Sequence, residues 1–498
     1  MILYIKGFVA CIMKIGYLDR KEIISGADAL ILPVIKGVKT PIFDEVDGAL
    51  GGILSKAIDS KPAIADFEGC ELMHIAGRGA PKMVLLSGLG KYDEIEAGLL
   101  RKAGGIAFSN IEGYKIKKAA LSVGDMISNR IDARPFIEGF LLRDYSFEKY
   151  RNTKQYRGIN VLNILKKRSR DDSDWAGWIS AVVDSVNMVR DLVNSPSNHV
   201  RPSSMAGVAR TLAGGRMKVK VLGTREIKKL GLNAFYSVAK GSKEEPEFIV
   251  MRYSGGMSKD IALVGKSVTF DSGGISLKPS KGMEKMKYDM AGGAVVLGVL
   301  KAVKELGLPV NLTGVIPACE NLPGGSASRP GDIVKTYGGK TVEIVNTDAE
   351  GRLLLADAIE YTKKLSPGVI IDIATLTGAC SVALGNEAIA MMGNDQEYME
   401  KLRKASIDTG EKVWQMPLYR EYGEYIRSDV ADLKNSGGRS GSLVTAGYFL
   451  NEFAGDTPWV HLDIASTAWT DKDRPYSPKG ATGMGVRLLM EFIRGTME

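Results

Sequence analysis

Thr341-Val342-Glu343-Ile344-Val345-Asn346-Thr347-Asp348-Ala349-Glu350-Gly351-Arg352-Leu353-Leu354-Leu355-Ala356-Asp357-Ala358 carries the chain from an extended run into a helical one. The turn between them holds two carboxylates two residues apart and an arginine two further on. Close carboxylates repel, so a fold that gathers them usually neutralises them with a cation. A capped helix start reads the same residues differently, because Asp and Glu favour first turns. The heptapeptide from Asn346 to Arg352 alone leaves both readings open.

The strand-to-helix pattern repeats on either side. Ile261 to Val264 reads as a buried strand, Ala291 to Leu306 as a helix, Val310 to Ile316 as a strand and Gly351 to Leu365 as a helix. Val369 to Ile373 and Trp459 to Ile464 complete the apolar strands. Such continuous Val/Ile/Leu runs suit a sheet buried on both faces, whose sites form beyond the C-terminal strand ends. Upstream, Trp175, Ile179, Val182, Val186 and Val189 recur at helical spacing until Pro196 stops the helix. The polar stretch from about Lys149 to Asp174 reads as a linker. Before it, Ala29 to Val34 and Met83 to Gly90 suggest strands of a small α/β domain. The expected fold class is α/β with two domains. Residues 1–172 form a smaller N-terminal α/β domain with its linker, and residues 173–498 a larger catalytic domain around a mostly parallel mixed sheet.

With 45% hydrophobic and 25% charged residues, the 498-residue chain has a soluble globular composition. The apolar stretch from Gly7 to Met13 is too short to span a bilayer and reads as an N-terminal extension or strand, so no membrane partner is expected. Cys11, Cys70, Cys319 and Cys380 form no CxxC pair, which suits buried free thiols in a reducing cytoplasm. The net charge of +8 raises the question of nucleic acid. The basic residues are dispersed, however, and the cluster Lys166-Lys167-Arg168 is followed by Asp171, Asp172 and Asp174. That pattern argues against nucleic acid as the main partner. None of His74, His199 and His461 is spaced from another as a ligand pair, so any metal site must be built from carboxylates.

A second cluster begins at Gly265-Lys266-Ser267 and runs through Asp271, Gly273, Gly274 and Lys278 to Asp289. Its opening invites a P-loop reading, but Asp260 stands where the first P-loop glycine belongs and Val268-Thr269-Phe270 is extended rather than helical. A serine-hydrolase elbow fails as well, because Ser442 takes the last glycine position of Gly438-Arg439-Ser440-Gly441. There remain Asp271, Asp289, Asp348 and Glu350, with Lys266, Lys278 and Arg352 interleaved. Four carboxylates could hold two ions roughly 3.5–4 Å apart, an arrangement that turns a bridging water into a hydroxide nucleophile at neutral pH.

These stretches, together with Glu320 to Pro323, Arg329 to Asp332, Ala374 to Ala379, His461 to Ala465 and Gly480 to Gly483, resemble the leucyl aminopeptidases of peptidase family M17, also called cytosol aminopeptidases. The resemblance covers residues 175–498. It is looser in the N-terminal third, at Gly88 to Lys91 and Glu138 to Tyr145. It implies two divalent metal ions, zinc or manganese with cobalt and magnesium as alternatives, sharing Asp271 and Glu350. Lys266 and Asp289 complete the tighter site, and Asp348 the more exchangeable one. A lysine ligand must be a neutral amine, which costs on the order of 5 kcal/mol near neutral pH unless burial beside a dication supplies it.

The resemblance further implies that Lys278 stabilises the oxyanion and that Arg352 holds a bicarbonate acting as general base. Met286, Thr375, Gly378 and Ala465 match a pocket for an apolar N-terminal side chain such as leucine. Ser267 and Ser466 stand where the family usually has glycine. The implied protein is a cytoplasmic homohexamer that releases N-terminal residues from peptides.

Overall fold

The computed structural model describes residues 13–18, 27–76, 81–123, 126, 131–152, 159–165, 170–256 and 260–497. Cys11 and the Lys166-Lys167-Arg168 cluster lie outside them. The chain divides into two compact units, Ala10–Asp184 with Lys472–Pro478, and Ser185–Asp471 with Lys479–Glu498.

The first unit is built on a six-stranded sheet of β1 (Lys14–Leu18), β2 (Ala29–Ile35), β3 (Cys70–His74), β4 (Met83–Gly90), β5 (Lys118–Leu121) and β6 (Val161–Leu165). Its order is β1-β6-β5-β2-β4-β3, parallel except at β3. β6 corrects the linker reading of 149–174. Val161-Leu162-Asn163-Ile164-Leu165 is a short run among charged neighbours, yet it lies between β1 and β5 with Leu162 and Ile164 fully buried. The polar flanks outweighed five apolar-rich residues in the sequence. Helices Ala97–Ile111 and Arg134–Arg143 approach so closely that a Cβ on Gly104 would sit 1.9 Å from the Phe136 carbonyl oxygen.

The second unit holds a nine-stranded sheet. Its strands are β7 (Met217–Leu222), β8 (Glu247–Ser254), β9 (Ile261–Gly265), β10 (Ser267–Asp271) and β11 (Asn311–Asn321), then β14 (Val369–Ala374), β15 (Ile389–Gly393), β16 (Val413–Gln415) and β18 (Trp459–Asp463). β12 (Asp332–Lys335), β13 (Thr341–Ile344) and β17 (Leu433–Lys434) form a separate small sheet. The large sheet runs β16-β15-β18-β14-β9-β11-β8-β7, with β10 also on β11. Its middle strands β18, β14, β9 and β11 are parallel, whereas β7, β8 and β15 pair antiparallel. The fold is thus α/β in two domains around a mostly parallel mixed sheet.

Helices α1 (Ala291–Leu306) and α2 (Gly351–Lys363) cover this sheet. α2 buries Leu353, Leu354, Leu355 and Ile359 in one core with Ala262, Val264, Ile370, Ala374 and Trp459. Fully burying each large apolar side chain contributes roughly 1.5–3 kcal/mol. β11 runs five residues past its expected end at Ile316. Pro317 cannot donate to a ladder. It falls, however, in the gap where β11 exchanges β9 (to Val315) for β10 (from Ala318) as parallel neighbour. Cys70, Cys319 and Cys380 are free thiols, the last two buried. Among the described residues, no helix is long and apolar enough to cross a membrane.

Candidate metal centre

The strand ends of the parallel core converge. β9 delivers Lys266, β10 Asp271, β11 Asn321, β14 Thr375 and β18 Asp463. The chain after Gly265 enters a strand rather than a helix, so the Gly-Lys-Ser sequence is not a phosphate loop.

Lys266 lies at the centre, only 2% exposed. Its ammonium is 2.8 Å from Asp289 Oδ1 and 2.8 Å from Glu350 Oε1, and donates to the Thr375 carbonyl oxygen at 2.9 Å. Glu350 occupies the N-cap position of α2, yet its side chain makes no capping hydrogen bond. The helix start is real, but its carboxylate faces the cluster. Room for Lys266 depends on Gly351, where a Cβ would lie 2.8 Å from Lys266 Cε and 2.9 Å from Nζ.

Lys278 bridges the other side, 2.8 Å from Asp271 Oδ2 and in contact with Asp348 Oδ1. Asp271, Asp348 and Glu350 each offer an oxygen within 4.8 Å of the others. Burial pushes the carboxyls of Asp289, Asp348 and Glu350 upward, against the pull of the lysines. Burial also pulls Lys266 and Lys278 down, but the surrounding carboxylates outweigh it and hold both ammoniums well above the usual lysine range. Asp289 Oδ2 is buried with no partner. Four carboxylates against two ammoniums leave net negative charge in a buried cluster, and an unmet hard oxygen ligand with it. That donor set fits divalent cations.

Arg352 stands on the first turn of α2, 7% exposed, with its Nε unpartnered. Burial lowers its pKa to about 10, with Glu350 and Asp463 opposing, so it stays charged at neutral pH. Among the described residues no carboxylate is within ion-pair distance of it, so the guanidinium keeps hydrogen-bonding capacity to spare. Thr375, expected in the side-chain pocket, donates to Asp289 Oδ1 at 2.7 Å and so touches the cluster directly. Met286 is half-buried in the 3-10 turn Met283–Tyr288, and its carbonyl accepts from Asp289 N at 3.3 Å. Gly378 opens helix α3 (Gly378–Leu384), where a Cβ would meet nothing within 4 Å. Ala465 follows β18 and is half-buried.

Three further residues shape the site without having been singled out in the sequence. Asn321 donates to Asp271 Oδ1 at 2.8 Å and to the Thr347 carbonyl at 3.0 Å. Asn435, fully buried, clamps the acidic turn by accepting from Val345 N and donating to the Asn346 and Ala349 carbonyls. Asp463 holds the loops beyond β14 and β18. Asn321 and Asp463 lie within stretches that carry the family resemblance, whereas Asn435 follows Asp432-Leu433-Lys434 and has no comparable signal.

Comparisons with known proteins match this architecture. The family model described as "Cytosol aminopeptidase family, catalytic domain" matches residues 187–490, and that for the family's N-terminal domain matches residues 31–154. A relative from Geotalea uraniireducens, named "Probable cytosol aminopeptidase", is 45% identical over 471 residues, covering 93% of this chain and 95% of its own. One of the same name from Geobacter sulfurreducens is 44% identical over 462 residues, covering 91% and 93%. Among solved structures, a mutant of tomato leucine aminopeptidase superposes with a TM-score of 0.86 at 29% identity, covering 97% of this chain and 96% of that one. The bottromycin maturation enzyme BotP in complex with Mn gives 0.84 at 30% identity, covering 95% and 100%.

Proposed function

The chain belongs to the cytosol aminopeptidase family, a family of metallo-aminopeptidases, and on that premise we propose that it is a dinuclear enzyme preferring leucine or another apolar N-terminal residue. The observation that carries the dinuclear reading is the convergence of Asp271, Asp348 and Glu350 within 4.8 Å beside the buried Lys266–Asp289 pair. Asp271 and Glu350 would be shared by both ions, with Lys266 and Asp289 completing one site and Asp348 the other. When bound, zinc or manganese would polarise the scissile carbonyl and activate water, and bicarbonate at Arg352 would accept a proton.

The chain's own groups supply the rest. With the ions bound, a free α-amine, which only the first residue of a peptide possesses, would have a lone pair to offer the centre, and this supports exopeptidase action. Lys278, its side chain 21% exposed, can reach from the carboxylates to a developing oxyanion. Thr375 fixes Asp289, and Arg352 offers an unpartnered N–H to an anion. Met286, Gly378 and Ala465 are small or apolar and suit leucine better than a charged side chain. We further propose a cytoplasmic homohexamer, in line with the relatives' names and the family resemblance.

The test is hydrolysis of leucyl-p-nitroanilide by metal-stripped protein, with zinc, manganese, cobalt or magnesium restored separately. Activity should return with at least one of them; failure with all four would sink the proposal.

A further inference from the structure

We propose that Asp463 is a positioning residue that sets the shape of the N-terminal side-chain pocket, an inference that rests on the aminopeptidase reading above. Its carboxylate is fully buried at the end of β18. Oδ1 accepts from Leu376 N at 3.1 Å and Ala465 N at 3.0 Å. Oδ2 accepts from Thr377 N at 3.1 Å and Thr377 Oγ1 at 2.7 Å. Four donors fill the carboxylate's acceptor positions, and no lysine or arginine among the described residues forms an ion pair with it.

These donors come from two separate loops. Leu376 and Thr377 follow β14, whereas Ala465 follows β18, and the two strands are parallel neighbours with Ala374 opposite Asp463. One loop carries Thr375 and Gly378, and the other carries Ala465. Asp463 therefore fixes the separation of two walls that sheet pairing no longer controls beyond the strand ends. The tie extends into α3, because Thr377 Oγ1 accepts from Cys380 N at 3.2 Å as it donates to Asp463. A weaker second tie runs beneath, with the Cys380 thiol 3.2 Å from Ser466 Oγ, which itself donates to the Ala388 carbonyl at 2.9 Å. This lower tie depends on the Ser466 hydroxyl.

A merely structural carboxylate would affect all substrates alike. A wall-positioning one affects large N-terminal side chains more than small ones. Asp463→Asn turns an N–H donor toward existing donors, and Thr377→Val removes one hydroxyl, while Thr377→Ser keeps it. The measurement is kcat/KM for leucyl- and alanyl-p-nitroanilide, with bound metal quantified in each variant. The expected result is an about tenfold fall in the leucyl-to-alanyl ratio for Asp463→Asn and Thr377→Val, mainly through KM for the leucyl substrate. Thr377→Ser should stay near wild type and metal content should be unchanged. If Asp463→Asn fails to fold, the Thr377 pair decides. An unchanged ratio in Thr377→Val, or equal losses on both substrates, would overturn the inference. Wild-type protein inactive on both substrates would instead overturn the functional reading, and this inference with it.

Discussion

The ammonium of Lys266 lies 2.8 Å from Glu350 Oε1, joining the end of a central strand to the first turn of the helix that covers it. That contact exists because Gly351 has no side chain. Adding a methyl would place a Cβ within 3 Å of three Lys266 side-chain atoms, all buried and unable to yield freely. Gly351→Ala is expected to cost about 1–3 kcal/mol of stability through overpacking and to weaken metal binding by displacing the lysine. Denaturant midpoints and metal titration of the variant check both effects. Wild-type values in both would show that the lysine is not confined as described.

Metal binding should stabilise the fold, because the unfolded chain cannot assemble the cluster. Saturation at a thousand times Kd contributes about 4 kcal/mol. Melting temperature should therefore rise on adding zinc or manganese to stripped protein. Asp271→Asn, which removes a carboxylate central to the cluster, should lose most of that increment. A rise of equal size in the variant would remove Asp271 from the site.

Arg352→Ala should lower kcat by about 10²–10⁴-fold if its unpartnered N–H holds the general base. The variant should also lose any dependence of rate on added bicarbonate. Arg352→Lys, which keeps charge without the planar fork, should recover only part. Steady-state rates across a bicarbonate series distinguish these outcomes.

Asp357 gives the fold a pH dependence remote from the cluster. Buried in α2, it accepts from Phe235 N at 2.9 Å and Tyr337 N at 2.7 Å. Burial pushes its carboxyl up to about 7, with these N–H groups opposing. A folded pKa above the ordinary 3.8 favours the neutral form on folding. Its stabilising contribution is therefore complete below about pH 4 and lost as pH rises through about 7. Asp357→Asn cannot ionise and should be less stable at the acid end, where its amide meets a backbone N–H. The urea midpoint of wild type should fall more steeply from about pH 4 to about pH 7 than that of the variant. Parallel slopes would contradict this assignment.

Much of the catalytic unit was legible because its signals are local. Ile261 to Val264 and Val369 to Ile373 are uninterrupted apolar strands, and Ala291–Leu306 is bounded as a helix where the sequence expects one. The acidic turn announced itself by charge density, but whether it capped a helix or faced a cluster depended on Lys266, a partner remote in sequence. Asn321 and Asp463 lie in stretches that carry the family resemblance, but their roles, like that of Asn435, depend on loops that meet only in the fold. β6 was missed because five residues in a charged segment become a strand only when β1 and β5 flank them.

In the proposed centre, Asp271, Asp289, Asp348 and Glu350 with Lys266 hold two divalent ions. Calorimetric titration of stripped protein with manganese or zinc, backed by elemental analysis, tests it most directly. Wild type should bind two ions per chain with different affinities, and Asp348→Asn should lose the weaker one. A single ion or none in wild type, or two undiminished sites in Asp348→Asn, would contradict it.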